Sequence, residues 1–369
     1  MGTAGLKLDY VPTDQIAEKP ASWWSNVLGV VGFSKLPPID ANQVPVAASM
    51  TPSLGTAAGS LCEVWRVEGP VDSELSSRHG RVHYRVAEDF LFGTLALEEQ
   101  AFDGDSAALS QATITAYRDI FEVLERTEHR HLIRIWNYLP EINREADGDE
   151  RYRHFNAARQ VAFRSVGRPT QGAVPAACAL GSPAGSPISI YFLAAREAPK
   201  MIENPRQTSA YRYPPKFGRH SPSFSRACVL SESAGTNLFV SGTASIVGYE
   251  TIHHGDVSAQ TRETLANLEA VLEEANRVVG VPRYSLDGLK FKVFVRRPRD
   301  LDAIQSALSA NLRPAAPILY LQADVCREEL LVEIEATGET LLASCGANHS
   351  DEAVKQPSRP FIESRLRSR

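Results

Sequence analysis

The sequence predicts an α+β fold in which two tandem copies of one unit each form a mainly antiparallel sheet with helices on one face. Three observations predict it. An order of strand, polar loop, long helix and strand occurs twice, starting near Phe90 and again near Leu238. Each long helix carries a continuous apolar stripe wide enough to cover a sheet. Each copy then continues with a shorter helix and two strands, so the unit reads roughly ββαβαββ. At 369 residues and 43% hydrophobic, the chain can build about two packed domains.

In the first copy, Phe90–Leu97 reads as a strand and residues 98–105 as a polar loop. A helix follows from about Ala107 to Glu125, with Ile114, Tyr117, Phe121 and Leu124 on one face. Then come a strand at Leu132–Leu139, a helix at Arg151–Phe163, and strands at Ala176–Leu180 and Ile188–Ala194. The second copy repeats the order: strand Leu238–Val247, a loop through His253-His254-Gly255-Asp256, and a helix from about Val257 to Val279. That helix has Leu265, Leu268, Val271, Leu272 and Ala275 on its apolar face, with Ser258 and Gln260 as capping residues. Strand Leu289–Val295, helix Asp300–Ala310, and strands Ile318–Ala323 and Leu330–Thr337 complete it. The expected boundaries are a first unit with its N-terminal extension at 1–199, a linker at 200–226, a second unit at 227–343 and a disordered tail at 344–369. The extension, with Trp23 and Trp24 in an apolar stretch, is expected to cover the first unit.

The net charge of -5 and the dispersed Lys and Arg argue against nucleic acid and against an anionic membrane surface as partners. No apolar run approaches the ~20 residues of a membrane span, and residues 1–9 lack a leader pattern, so a cytoplasmic protein is expected. Five scattered cysteines without CxxC spacing suit reduced thiols. The pairs His253-His254 and His129/His131 lack a partner at metal-ligand spacing, so no metal is expected. There is no phosphate-cradling glycine loop and no nucleophile elbow.

The chemistry concentrates in Glu329-Leu-Leu-Val-Glu333-Ile-Glu335, an apolar strand pattern in which Glu333 and Glu335 share one face. A carboxyl drawn into a sheet loses hydration and holds its proton toward neutral pH, which makes a general acid. On an exposed sheet the same pair would be two solvated glutamates, and alternation does not separate the two residues. The first copy has Ser189-Ile-Tyr-Phe192 at the matching place, so acid chemistry is expected in the second copy only. The 197–226 segment interleaves Tyr211, Arg212, Tyr213 and Arg219, whose hydroxyls and guanidinium forks suit a dicarboxylate ligand.

Val240-Ser241-Gly242 and Val332-Glu-Ile-Glu-Ala336 resemble the RidA/YjgF (chorismate-mutase-like) family, in the same order and at similar separation. Deaminases of that family place an arginine before the penultimate strand; Pro314-Ala315-Ala316 stands here, which argues against imine deamination. From about residue 60 to 340 the chain resembles the chorismatase family, in which two RidA-like units are fused. The resemblance rests on Trp136-Asn-Tyr-Leu-Pro140, the Tyr152–Arg159 helix with Phe155-Asn156, Phe217-Gly-Arg219, Ser241-Gly-Thr-Ala-Ser245, and the stretch from Cys326 to Glu335. It implies cleavage of chorismate to pyruvate plus a cyclic product, with no cofactor. Glu333 is implied as the general acid, with Glu335 as fallback. Arg159, Arg212 and Arg219 are implied as carboxylate anchors, Tyr152, Tyr211 and Tyr213 as hydroxyl donors, and Ser241 and Gly242 as the floor. Cys326 leans the product toward 3-hydroxybenzoate, alone or with 4-hydroxybenzoate, and Ala244 leans the other way. The alternatives are a chorismate hydrolase giving 3,4-dihydroxycyclohexa-1,5-diene carboxylate, a RidA-type imine deaminase, and a non-catalytic small-ligand-binding protein. RidA-like units commonly form trimers, so this chain is expected to be a monomer or a trimer.

Overall fold

The computed structural model describes residues 5–34, 39–54, 60–69, 71, 76–231 and 235–341. Cys345 and the expected 344–369 tail lie outside them. The N-terminal region, whose path the sequence did not reveal, forms a sheet of its own from β1 (Leu6–Pro12), β2 (Val27–Phe33), β3 (Val46–Ser49) and β4 (Leu61–Val67), in the order β1-β4-β2-β3. The first unit contributes β5 (Ser77–His79), β6 (Val82–Val86), β7 (Phe90–Leu97), α1 (Ser106–Thr127), β8 (His131–Pro140), α2 (Arg151–Ser165), β9 (Ala176–Ser182) and β10 (Ile188–Ala195). The second contributes β11 (Lys200–Ile202), β12 (Ala227–Ser231), β13 (Gly235–Thr243), α3 (Val257–Val279), β14 (Leu289–Val295), α4 (Leu301–Ser309), β15 (Ile318–Gln322), β16 (Asp324–Val325) and β17 (Val332–Leu341).

The unit sheets run β16-β9-β8-β10-β7-β6-β5 and β11-β12-β13-β17-β14-β15. Pairing is antiparallel except β8 with β9 and β14 with β15, the two connections that contain α2 and α4, as a parallel crossover requires. The expected α+β units are therefore present. The 200–226 segment is more than a linker, because its first residues form the edge strand β11. The second unit also lends β16 to the first unit's sheet, where Val325 pairs with Leu180. On α3 the cap is Asp256, whose carboxylate accepts from the Ala259 N–H at 2.9 Å, rather than Ser258 or Gln260. Ile114 sits at the rim of its stripe; Leu109, Ala112, Ala116, Tyr117 and Phe121 carry the buried face.

α1 and α2 cover one face of the first sheet, and α3 and α4 one face of the second. The other faces meet the N-terminal sheet in a shared core: Leu8, Phe33 and Trp65 pack with Phe92, Trp136 and Tyr191 and with Phe239, Phe294 and Leu319. Three seams result. β1 meets the second unit through Leu8 N–H to Glu339 Oε1 at 2.7 Å and Tyr10 OH to Phe291 O at 3.1 Å. β3 meets the first unit where Ser189 Oγ donates to Ala48 O at 2.6 Å. β9 meets β13 where the Ala177 N–H donates to Ser241 Oγ at 2.9 Å.

Where the three sheets converge, charge is buried. Lys292 Nζ lies 2.5 Å from Glu63 Oε2 and 2.7 Å from Glu335 Oε1, and Arg134 Nη2 lies 2.5 Å from Glu335 Oε2. The Trp136 and Trp65 indole N–H groups donate to Glu335 and Glu63 at 2.7 and 2.6 Å. Burial alone would raise the Glu335 carboxyl, but Lys292 and Arg134 hold it below the usual glutamate range. Its partners favour the ionised form of Glu335, which suits a structural ion pair better than a proton donor. Among the described residues no helix is long and apolar enough to cross a membrane.

Candidate active site

The site forms at the seam between β9 and β13, beside the start of β17. Two side chains staple the approach to β17. Gln260 donates to Glu329 O at 3.0 Å and accepts from the Leu331 N–H at 2.8 Å. Arg296 donates to Leu330 O at 2.6 Å and to Val325 O and Arg327 O, each at 2.8 Å. Glu333 therefore leaves a held backbone. Across from it the β13–β17 register shifts between Val240 and Thr243, and Gly242 falls within that irregularity.

A Cβ on Gly242 would lie 1.9 Å from Glu333 Oε1, so only glycine leaves the carboxyl its place. Gly242→Ala is expected to displace Glu333 and lower kcat/KM by about 10- to 100-fold while the melting curve stays cooperative. Steady-state kinetics and a thermal melt check it, and unchanged kinetics would refute the packing argument. Ser241 behaves differently from the floor expected of it. It is fully buried, and its hydroxyl accepts from Ala177 and donates to Ser225 O at 2.6 Å, tying the two units together.

Glu333 lines a cleft of about 310 Å³ and also a narrow recess at its inner end. Tyr152, Phe224, Gly242 and Cys326 face both spaces. Glu333 is 3% exposed and, among the described residues, has no hydrogen bond or ion pair. Burial pushes its carboxyl up to about 8 and the Glu335 charge adds to this, while Arg134, Arg296 and Arg226 pull it down. That keeps it mostly protonated at neutral pH. Burial, then Glu333, pushes the Cys326 thiol up to about 12, so it stays neutral. Burial likewise raises the Tyr152 phenol well above its ordinary value, leaving a hydroxyl able to donate.

Arg159, on α2, opens into the recess and is 3% exposed; its face lies on the rings of Tyr117 and Phe163 at 5.4 and 5.3 Å. Its Nε and Nη2 groups are buried without a partner. Such orphaned guanidinium donors suit an incoming carboxylate. Tyr213 and Ala244 also line the cleft. Tyr211, Arg212 and Arg219 are absent from the lining of both spaces, and the two arginines are exposed. The turns at Ala210–Arg212 and Pro215–Phe217 direct Tyr213 and Phe217 inward and leave Arg212 outside, 5.8 Å from the Tyr211 ring.

Two arginines that sequence reasoning missed take their place. Arg226 donates to Thr208 O and Tyr213 OH, each at 2.8 Å, and its Nε is unpaired. Arg327 stacks 4.1 Å from the Phe217 ring, donates to Tyr249 O at 2.9 Å, and keeps an unpaired Nη2. Gly218, at φ +125°, adopts backbone that only glycine takes readily, and so turns the chain just after Phe217. Arg327 adjoins Cys326 and Arg226 closes the Tyr- and Arg-rich 197–226 segment, two stretches already singled out, and that was a usable signal. Among the described residues no group of three or more His, Cys, Asp or Glu is placed to hold a metal.

Residues 63–194 match the family model described as chorismatase FkbO/Hyg5-like, N-terminal. A 3-hydroxybenzoate synthase of Streptomyces hygroscopicus is 36% identical over 322 residues, covering 84% of this chain and 91% of that protein. A chorismatase of the same organism is 36% identical over 281 residues, covering 75% and 78%. A crystal structure of a chorismatase superposes with a TM-score of 0.79 at 31% identity, covering 92% of this chain and 99% of that one. Identity at this level, sustained across both units and joined to a shared fold, places the chain in the chorismatase family.

Proposed function

We propose that this protein cleaves chorismate to pyruvate and 3-hydroxybenzoate, with Glu333 as the general acid on the enolpyruvyl group. The observation that carries the reading is the buried Glu333 carboxyl, protonated at neutral pH and sharing a recess with the unpartnered Nε and Nη2 of Arg159. Chorismate has two carboxylates and an acid-labile vinyl ether, so its cleavage needs cations and one placed proton. Arg159 takes one carboxylate in the recess; Arg226 and Arg327 face the other across the cleft, with Tyr152 and Tyr213 as hydroxyl neighbours.

Glu333 gives its proton to the methylene carbon of the enolpyruvyl unit as the bond between ether oxygen and ring breaks. The neighbouring ring hydroxyl, giving up its proton, bonds to the carbon that the pyruvate oxygen leaves and closes an epoxide; the oxygen's original bond to carbon then opens as it takes a proton back, and the ring loses one proton to the Glu333 carboxylate and becomes aromatic. The atoms of chorismate divide between pyruvate and hydroxybenzoate without water. A hydrolytic route would consume one water. The relative named 3-hydroxybenzoate synthase supports 3-hydroxybenzoate as the product. Cytoplasmic location belongs to this reading, supported by the free thiols of Cys62, Cys178, Cys228 and Cys326.

Purified protein with chorismate is expected to yield pyruvate and 3-hydroxybenzoate in equal amounts by chromatography. A non-aromatic diene diol as the main species would move the protein to the hydrolase reading. No pyruvate release at all would overturn the assignment.

A further inference from the structure

We propose that Glu335, which touches no substrate, is a positioning residue for the reaction: the charge network at the meeting of the three sheets pins it as an anion, and that anion keeps the proton on Glu333. The inference rests on the reading of Glu333 as the acid and explains how a carboxyl near several arginines stays protonated. Glu333 and Glu335 lie two positions apart on one face of β17, where their partners on β14 are Phe294 and Lys292. Successive side chains on one strand face stand about 7 Å apart, close enough for one buried charge to oppose another. Phe294 offers Glu333 no cation, whereas Lys292, Arg134 and the Trp136 indole N–H saturate Glu335.

Two carboxyls, Glu63 and Glu335, face two cations, Lys292 and Arg134, with burial raising the Glu63 carboxyl against the pull of Lys292. The network's members come from all three sheets, so the Glu335 charge is set by the assembled core and not by the pH of the cleft. Around Glu333, Arg134 on β8, Arg226 ahead of β12 and Arg296 after β14 favour ionisation. Arg159 and Tyr152 on α2, Cys178 on β9, and Cys326 and Arg327 ahead of β17 share its two spaces. Burial keeps the two thiols and the Tyr152 phenol neutral through the working range. Glu150, Glu328 and Glu329 line the cleft but not the recess that Glu333 shares with Arg159. Glu335 is thus the anion held nearest along the strand, and it opposes the arginines.

The test is the pH dependence of kcat/KM for pyruvate release in Glu335→Gln and in the pair Lys292→Gln/Glu335→Gln. The pair removes one carboxylate and one ammonium together and so leaves the balance of charge in the core unchanged, whereas Glu335→Gln alone leaves a cation in excess. The falling limb is expected to move down by about one to two pH units in both. At pH 7.5 that is a loss of about 3- to 25-fold, with activity near pH 5.5 close to that of the unaltered protein. A general structural defect would lower activity at every pH without moving the limb. A limb that stays in place in the folded variants overturns the inference. Should Glu333→Gln retain pyruvate release, the acid assignment itself fails; if Glu333→Gln is inactive and the limb is unmoved, only the role of Glu335 fails.

Discussion

Glu333→Gln is expected to lower kcat for pyruvate release by about 10²- to 10⁴-fold with little change in KM. Glutamine keeps the volume and polarity of the side chain in the space left by Gly242 but has no proton of suitable acidity. Arg159, Arg226 and Arg327 are untouched, so chorismate still binds. In the unaltered protein kcat/KM is expected to fall as pH rises through about 8, where Glu333 ionises. A Gln variant with ordinary turnover would remove Glu333 from the mechanism.

The same carboxyl predicts a stability signature. Its pKa is raised on folding from 4.5 to about 8, so between those values the native state holds a proton that the unfolded chain has released. Stability from this group is fully present below pH 4.5 and is lost as pH rises through 8. Glutamine does not titrate. The melting temperature of Glu333→Gln minus that of the unaltered protein is therefore expected to grow from pH 6 to pH 9. Parallel curves would contradict a buried, protonated carboxyl.

Lys292→Met is expected to destabilise the fold by about 3–5 kcal/mol, read as a lower urea midpoint. The ammonium stands between Glu63 and Glu335 at 2.5 and 2.7 Å and also donates to Tyr191 OH at 2.9 Å. Methionine fills the space of the stem but leaves two carboxylates facing each other in a core that excludes water. Adding Glu63→Gln is expected to restore part of the loss, because one uncompensated charge is then gone. An unchanged midpoint in Lys292→Met would show that the network contributes nothing to holding the three sheets together.

Much of the fold was legible in the chain. The stripe through Leu265, Leu268, Val271 and Leu272 and the alternation through Val332 and Ile334 encode a helix and a strand with buried faces, since both depend on residues within a turn or two of one another. The N-terminal sheet was not legible, because prolines such as Pro20, Pro45 and Pro52 break up the stretches between its strands and its faces are completed only by the other two sheets. Turn geometry explains the arginines: Arg212 and Arg219 have suitable chemistry in a suitable segment, but the turns leave both exposed. Arg226 and Arg327 reach the cleft because strand β12 and the Arg296-stapled loop bring them there.

By itself the sequence determined that two α+β units follow one another and that Glu333 and Glu335, in the second, share a strand face. Resemblance put Glu333 ahead of Glu335, but only tertiary structure gave the two carboxyls different surroundings. Glu335 meets Arg134 and Trp136, 201 and 199 residues away in the chain, and is held as an anion. Glu333 meets a glycine at a β-irregularity and an enclosed cleft, and keeps its proton. Strand periodicity is a local property of the chain; the dielectric and the partners that set a carboxyl's charge arrive from distant segments and exist only once the sheets have packed.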